Sequence, residues 1–365
     1  MKIKFHAIIL LATLVLLGSQ TVNSQTQIVN FIRGGVEDGE KLIQAYLQPL
    51  GNAMGTDLNA GWYNTAKVHS TLGFDVTFTL SAAFVPQTDK TFDLADIGLK
   101  TLRIAEPSQP TNTPTFAGSR DKGPWLELAA NNPIGGDDLI LTRFQAHNGV
   151  DIPAYPLPMV KAAIGIPAGI EIMGRFLPRI TYEDMSLGMW GAGIKYDVLQ
   201  HVPVLRKFPI LNVSVMGAYT KVNSSSDINF QKSIYGSSHA GIPVVGGKDN
   251  YDNQNLEIQM QGFTTMALVS ADLPVITFYG GLGYSRSLST VDLLGDYPLI
   301  DSQNIEPGKI PIVDVTDPIA LKFTNYSGLQ TTIGFKLKVA VITFHADYTY
   351  ANYNIVSAGL GVSLR

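Results

Sequence analysis

The sequence predicts an all-β chain closed into a transmembrane antiparallel β-barrel of about fourteen strands, with twelve as the alternative. A short N-terminal helix is expected to plug or cap its periplasmic end. Three observations carry this reading. The last third of the chain alternates with period two: Ile276, Phe278, Leu282 and Tyr284 oppose Thr277, Tyr279, Gly283 and Ser285, and Ile342, Phe344 and Tyr348 oppose Thr343, His345 and Asp347. Such stretches exceed the roughly 5–6 residues of a soluble-domain strand and suit the about 9–11 of a membrane-spanning one. Charged residues are 15% of the chain and mean hydropathy is +0.13, where a soluble domain carries about 25% charge. Finally, Lys2 and Lys4 precede an apolar run from Ala7 to Leu17, with small residues at Val22 and Ser24. That pattern is an export signal cleaved after Ser24, giving three segments: 1–24 signal, 25–66 helix and hatch, 67–365 barrel.

In chain order, Glu37–Leu50 switches to helical spacing, with Leu42, Ile43, Tyr46 and Leu47 on one stripe and acidic residues in the first turn. Pro49 and Gly51 should stop it. Trp62 and Tyr63 follow in a turn-rich stretch; they suit either a membrane interface or packing against the helix. Leu72–Phe84 is the first strand, Phe74, Val76, Phe78 and Leu80 facing lipid and Asp75, Thr77 and Thr79 facing inward. Thr91–Ile104 and Asp138–His147 can each add a strand around a proline-rich loop, Glu106–Gly136. Val160, Ala162, Ile164 and Ile166 alternate with Lys161, Ala163 and Gly165. A turn at Pro167–Gly169 then returns the chain with Ile172 and Phe176 outside and Glu171, Met173 and Arg175 inside, ending at Pro178.

Met185–Val198 and Pro209–Lys221 continue the alternation. Asn223–Asp252 reads as a long outer loop that can hold a strand near Ile228–Ile234. Leu256–Leu268 and the stretch from Pro274 follow, and Ser289–Asp317 is a third long loop. Leu321–Lys336, Ala340–Tyr350 and the final stretch to Arg365 complete about ten well-patterned strands. The weaker regions leave room for more, and lipid demands a closed barrel with no open edge. Long loops belong on the extracellular side, because periplasmic turns are short.

Several segments also resemble a known family: Gly61-Trp62-Tyr63-Asn64-Thr65-Ala66-Lys67, Gly165-Ile166-Pro167, Arg175-Phe176-Leu177-Pro178, Gly193-Ile194-Lys195-Tyr196-Asp197, Gly280-Gly281-Leu282-Gly283-Tyr284, His345-Ala346-Asp347-Tyr348-Thr349 and Asn352-Tyr353-Asn354. The chain resembles a family of uncharacterised outer-membrane proteins from Bacteroidetes-type bacteria. That family is broadly similar to the fatty-acid transporter class of outer-membrane barrels, which have fourteen strands and an internal N-terminal hatch. The resemblance implies no catalytic or ligand-binding residues. A Leu364-Arg365 end departs from the aromatic terminus common among such barrels.

The chemistry narrows what the chain can do. It has no cysteine, which excludes disulfides, thiolate metal sites and a lipoprotein anchor. Net charge is −4 without a long basic run, which argues against nucleic acid. The expected lumen face carries Asp75, Glu171, Arg175, Lys195, Asp197, Glu257, Lys336, His345 and Asp347. Two readings stay open: the charges neutralise one another beneath a hatch, or they line a polar path. His345, Asp347 and Ser357 share residue types with a hydrolytic triad, but they point inward, so no catalytic residue and no enzyme is expected. No histidine spacing suggests a metal, and Asp292, Asp296, Asp301, Asp314 and Asp317 lack the spacing of a calcium loop. The glycines at Gly280–Gly283 suit strand bending or close approach of a plug rather than a nucleotide. No cofactor is expected, and the partners are outer-membrane lipid with either a small hydrophobic ligand or an outer-membrane or periplasmic protein. Two functions remain: passive transport of small, hydrophobic molecules past Leu42 and Tyr46, or a sealed structural barrel that binds a partner through its loops.

Overall fold

Among the described residues ten strands close the barrel, and each is long because its outer face must stay apolar across lipid while its inner face meets protein. A computed structural model describes residues 28–182, 185–202, 208–235 and 242–364; the export signal and its cleavage after Ser24 lie outside the described residues. The strands are β1 (Phe74–Phe84), β2 (Ala154–Ile166), β3 (Ile170–Tyr182), β4 (Met185–Asp197), β5 (Leu211–Asp227), β6 (Asn255–Asp272), β7 (Ile276–Leu294), β8 (Ile319–Val339), β9 (Ile342–Tyr350) and β10 (Ile355–Leu364). Each pairs antiparallel with its neighbour in sequence, and β1 closes the ring between β10 and β2. Closure leaves no edge in the sheet, which is the condition for a sheet in hydrocarbon. Outward side chains such as Phe176 (62% exposed), Ile333 and Leu360 form the apolar belt. No helix among the described residues is long and apolar enough to cross a membrane.

The expected fourteen or twelve strands are corrected to ten. Thr91–Ile104 and Asp138–His147 form only Thr91–Asp93, Leu102–Ile104 and Leu139–Gln145, which pair with Asn112–Pro114 and Trp125–Ala130 in small sheets outside the barrel. Pieces this short cannot cross an apolar band about 25 Å tall. The region near Ile228–Ile234 holds a 3-10 turn at Lys232–Tyr235 instead of a strand. The length went into fewer, longer strands: β5 to β8 have 17, 18, 19 and 21 residues and rise beyond the belt. Pro178 does not end β3, because a register shift between Leu177 and Ile180 absorbs it.

The helix, α1, runs Val36–Asp57 straight past Pro49. Proline forfeits one helical hydrogen bond. The helix nevertheless continues, because packing inside the barrel mouth supports its second half: Gly51 and Gly55 lie so close to Asn325 and Ser287 that an added Cβ would collide.

Its position is also corrected. Short turns join β2 to β3, β6 to β7 and β8 to β9 at one end, while the connections 85–153, 228–254 and 295–318 gather at the other. The helix sits among those long connections, away from the short-turn end. Leu42, Ile43, Tyr46 and Leu47 are all buried in one apolar cluster with Leu102, Leu128, Phe144, Tyr235, Tyr297 and Ile310. The three long connections are thus fused around α1 into a dome with its own core.

Candidate functional site: a threaded lumen beneath a loop dome

After Asp57 the chain leaves the dome and descends through the lumen, from residue 58 to residue 73, before turning up into β1. This segment has no regular structure, so its backbone polar groups need partners from the wall. The wall supplies them, largely as cations. Arg175 donates from one Nη to the Leu58 carbonyl at 3.0 Å and from the other to the Ala60 carbonyl at 2.6 Å, with its guanidinium 3.9 Å from the Trp62 ring centre. Thr220 also donates to Leu58 O, at 3.1 Å. Lower down, Lys195 Nζ donates to the Thr65 and Lys67 carbonyls at 3.4 and 3.2 Å and pairs with Glu171 at 2.9 Å. The other Glu171 oxygen accepts from the His69 backbone amide at 3.0 Å and meets His69 Nδ1 at 2.7 Å. Lys336 Nζ reaches Asn64 Oδ1 at 3.2 Å.

Seven of the nine expected lumen residues, Asp75, Glu171, Arg175, Lys195, Lys336, His345 and Asp347, are buried inside. Two are not lumen groups. Asp197 stands where β4 ends and accepts from the Leu199 amide at 2.9 Å, capping a short-turn connection. Glu257 lies on the outward parity of β6, paired in register with Asp292 of β7, high on the part that rises beyond the belt. Its period-two face was legible, but β6 carries its larger apolar residues inward: Met260, Met266 and Leu268 are buried while Phe263 and Val269 are exposed. The chain threaded through the lumen makes the inner face apolar there and inverts the usual sign of the pattern.

Lys161 was missed as a lumen group, although its parity opposite Val160 marks it. It lies 3.5 Å from Asp75. Trp62 belongs neither to the interface nor to the helix, being wholly buried under Arg175. The glycines follow the plug. An added Cβ on Gly281 would lie 2.3 Å from the Tyr63 hydroxyl, and one on Gly262 would lie 2.9 Å from Leu58 and Asn59. His345 contacts Thr79 Oγ1 at 3.4 Å, whereas Asp347 accepts from Tyr279 Oη at 2.9 Å; His345 and Asp347 thus turn to different partners.

In the dome, the aspartates take separate structural tasks. Asp296 pairs with Lys248, Asp314 accepts from Tyr251, Asp301 caps the turn to Asn304, and Asp317 accepts from the Gly295 amide. Among the described residues, no group of three or more His, Cys, Asp or Glu could hold a metal ion. Arg33 sits between two connections, over the Phe144 and Tyr235 rings at 5.5 and 5.6 Å. An open surface pocket of about 630 Å³ lies on the dome beside Asn229, Lys232, Tyr235 and Asp249.

One buried carboxylate fixes the helix to the dome. Asp38 accepts from the backbone amides of Lys100, Thr101 and Leu102 at 2.8, 2.7 and 2.8 Å and from the Thr101 hydroxyl at 2.7 Å. Burial alone would raise its pKa, but these hydrogen bonds together outweigh burial and hold it below the ordinary value. A carboxyl with a depressed folded pKa contributes stability above its unfolded value, about 3.9, and loses it as pH falls through the folded value. Amide-exchange protection of 36–50 should therefore be flat from pH 7 to 5 and drop below about pH 4. Asp38→Asn should lower protection at pH 7 and flatten the acid dependence; an unchanged profile would remove Asp38 from the account.

The closed ring, apolar belt and threaded lumen place the fold as an outer-membrane-type β-barrel. The chain belongs to DUF6588, a family of unknown function. The family model matches residues 1–364. No curated protein matches this DUF6588 chain in sequence. Among solved structures, it is similar to the outer membrane protease OmpT of Escherichia coli at 9% identity, covering 82% of this chain and 100% of that one with a TM-score of 0.31. It is also similar to Ail, the attachment invasion locus protein of Yersinia pestis, at 7% identity, covering 80% and 99% with a TM-score of 0.25. A third likeness is to the translocator domain of the autotransporter NalP from Neisseria meningitidis, at 11% identity, covering 82% and 90% with a TM-score of 0.28.

Proposed function

We propose that this DUF6588 chain is a permanently plugged outer-membrane barrel whose working surface is its dome, presented outside the cell to a macromolecular partner. The observation that carries the reading is what the lumen charges are used for. Arg175, Lys195 and Lys336 are spent on the polar groups of the plug. Charges that lined a solute path would face water.

The helix supports the same reading. Leu42, Ile43, Tyr46 and Leu47 are buried in the dome core, where they hold three long connections together. A shared core makes these loops a preorganised platform, which lowers the ordering cost of binding. Passive transport of small hydrophobic molecules would need an opening beside Leu42 and Tyr46, and both are buried. Transport by this chain would require the plug to leave.

The test is electrical. The full chain reconstituted in planar bilayers should show no steady conductance, and a variant lacking residues 28–66 that still shows heat-modifiable migration should conduct. Steady conductance from the intact chain, or uptake of an apolar tracer into vesicles at a rate set by its presence, would overturn the plugged reading.

A further inference from the structure

We propose that the outer wall formed by β3 to β7 is a binding site for a phosphorylated lipid of the outer leaflet. Two features of this wall, one cationic and one apolar, line up along the same strands.

The cationic feature is Arg179, Lys221 and Arg286. They stand nine, ten and ten residues above the short-turn ends of β3, β5 and β7 at Ile170, Leu211 and Ile276. At about 3.3 Å per residue and a tilt of roughly 40°, that height is about 25 Å, the upper rim of the apolar band. All three lie on the outward face. Arg179 is folded across the outer surface onto the hydroxyls of Ser186 and Ser225 at 2.9 and 3.0 Å. In register, Lys221 stands beside Trp190 on one side and Gln261 on the other, and Arg286 opposes Phe263. Among the described residues no carboxylate forms an ion pair with any of the three; the outward carboxylates Glu257 and Asp292 lie further along their strands toward the dome. Aromatic residues mark the interface just below: Trp190 and Tyr219 have their rings 5.6 Å apart. Basic residues held at the rim with hydroxyl and amide donors beside them fit a phosphate headgroup.

The apolar feature is a shallow groove of about 560 Å³ in the belt, running from Ile170 and Tyr196 near the short-turn end up past Val215 and Ala267 to Gly217 and Thr265, four residues below Lys221 and Gln261 on the same strands. It exists because small outward residues meet there: Gly217 pairs in register with Ile194 and Thr265, and Val215 pairs with Ala267. A Cβ added at Gly217 would meet nothing closer than 4.0 Å, so the space is open to the bilayer. Lys221, Tyr219, Gly217 and Val215 descend β5 in that order on one face. The run from Lys221 to Val215 covers roughly 20 Å. A headgroup on Lys221 and Arg286 would therefore lay an acyl chain past Tyr219 into the upper end of the groove at Gly217 and Thr265. Charge complementarity at the rim selects a phosphorylated lipid over a second copy of this chain, which would bring the same cations against themselves.

The test uses the purified full-length protein in nonionic detergent, with native mass spectrometry as the readout. The probes are a bis-phosphorylated lipid A, its dephosphorylated counterpart and phosphatidylcholine. The expected result is retention of lipid A in preference to both others, weakened by salt. Binding should be about tenfold weaker in K221A/R286A, and weaker by several-fold in Gly217→Leu, which fills the groove. These substitutions face lipid, so heat-modifiable migration should be unchanged. Equal retention of phosphatidylcholine by the wild-type protein, or undiminished lipid A binding by the double variant, would overturn the proposal. So would a wild-type dimer without lipid that Gly217→Leu dissociates, which would assign the wall to a second copy. None of these outcomes depends on whether the lumen conducts.

Discussion

Arg175→Ala should convert a silent barrel into a leaky one. The side chain satisfies two plug carbonyls and lies against the buried Trp62 ring. Truncation orphans the Ala60 carbonyl inside the lumen, leaves the Leu58 carbonyl to Thr220 alone and removes a desolvated cation–π contact, together worth roughly 3–5 kcal/mol of plug docking. Since about 1.4 kcal/mol is tenfold in population, the undocked plug should become at least about a hundredfold more populated. Intermittent conductance should appear, and the segment around Lys67 should become trypsin-sensitive, while the barrel keeps its heat-modifiable migration. Arg175→Lys should rescue only partly, because one ammonium cannot reproduce a fork aimed at two carbonyls. A silent, protease-resistant Arg175→Ala barrel would show that the plug is held by packing alone.

The second large effect is expected at the Glu171 junction. Its two oxygens serve Lys195, the His69 ring and the His69 amide, and all three side chains are buried. Glu171→Ala strands the Lys195 ammonium without a counter-charge, at a cost of roughly 3–5 kcal/mol. The thermal midpoint of unfolding in detergent should fall clearly. Adding Lys195→Met to Glu171→Ala should recover part of the loss, because the stranded charge goes with it. A double variant no more stable than Glu171→Ala would mean that the ammonium is not the source of the penalty and that the His69 hydrogen bonds dominate.

Much of the barrel was legible because the membrane imposes a rule on every spanning residue. Outward residues must be apolar, so the parity of Phe74, Ile172, Ile194 and Phe278 identified strands and faces correctly. Seven of the nine lumen groups followed from the same rule, and Lys161 obeyed it as well. It misled at Glu257, because the threaded plug makes the inner face of β6 apolar at Met260, Met266 and Leu268 and so inverts the sign of the pattern there. It misled on strand number because β-rich sequence also builds small sheets in loops, and local propensity does not say which sheet a strand joins.

The sequence by itself determined that the chain forms a closed membrane barrel and, on every strand except β6, which side chains face lipid, since both follow from residue-by-residue contact with one apolar solvent. It also determined that an amphipathic helix precedes the first strand. Only the tertiary structure decided that this helix holds the dome together, that the following segment threads the lumen, and that Arg175, Lys195 and Lys336 bind its polar groups. Those outcomes depend on contacts between residues more than a hundred positions apart. An irregular segment carries no periodic signal of its own. Its path is fixed by where the wall can satisfy its carbonyls, and that requirement exists only once the barrel has closed.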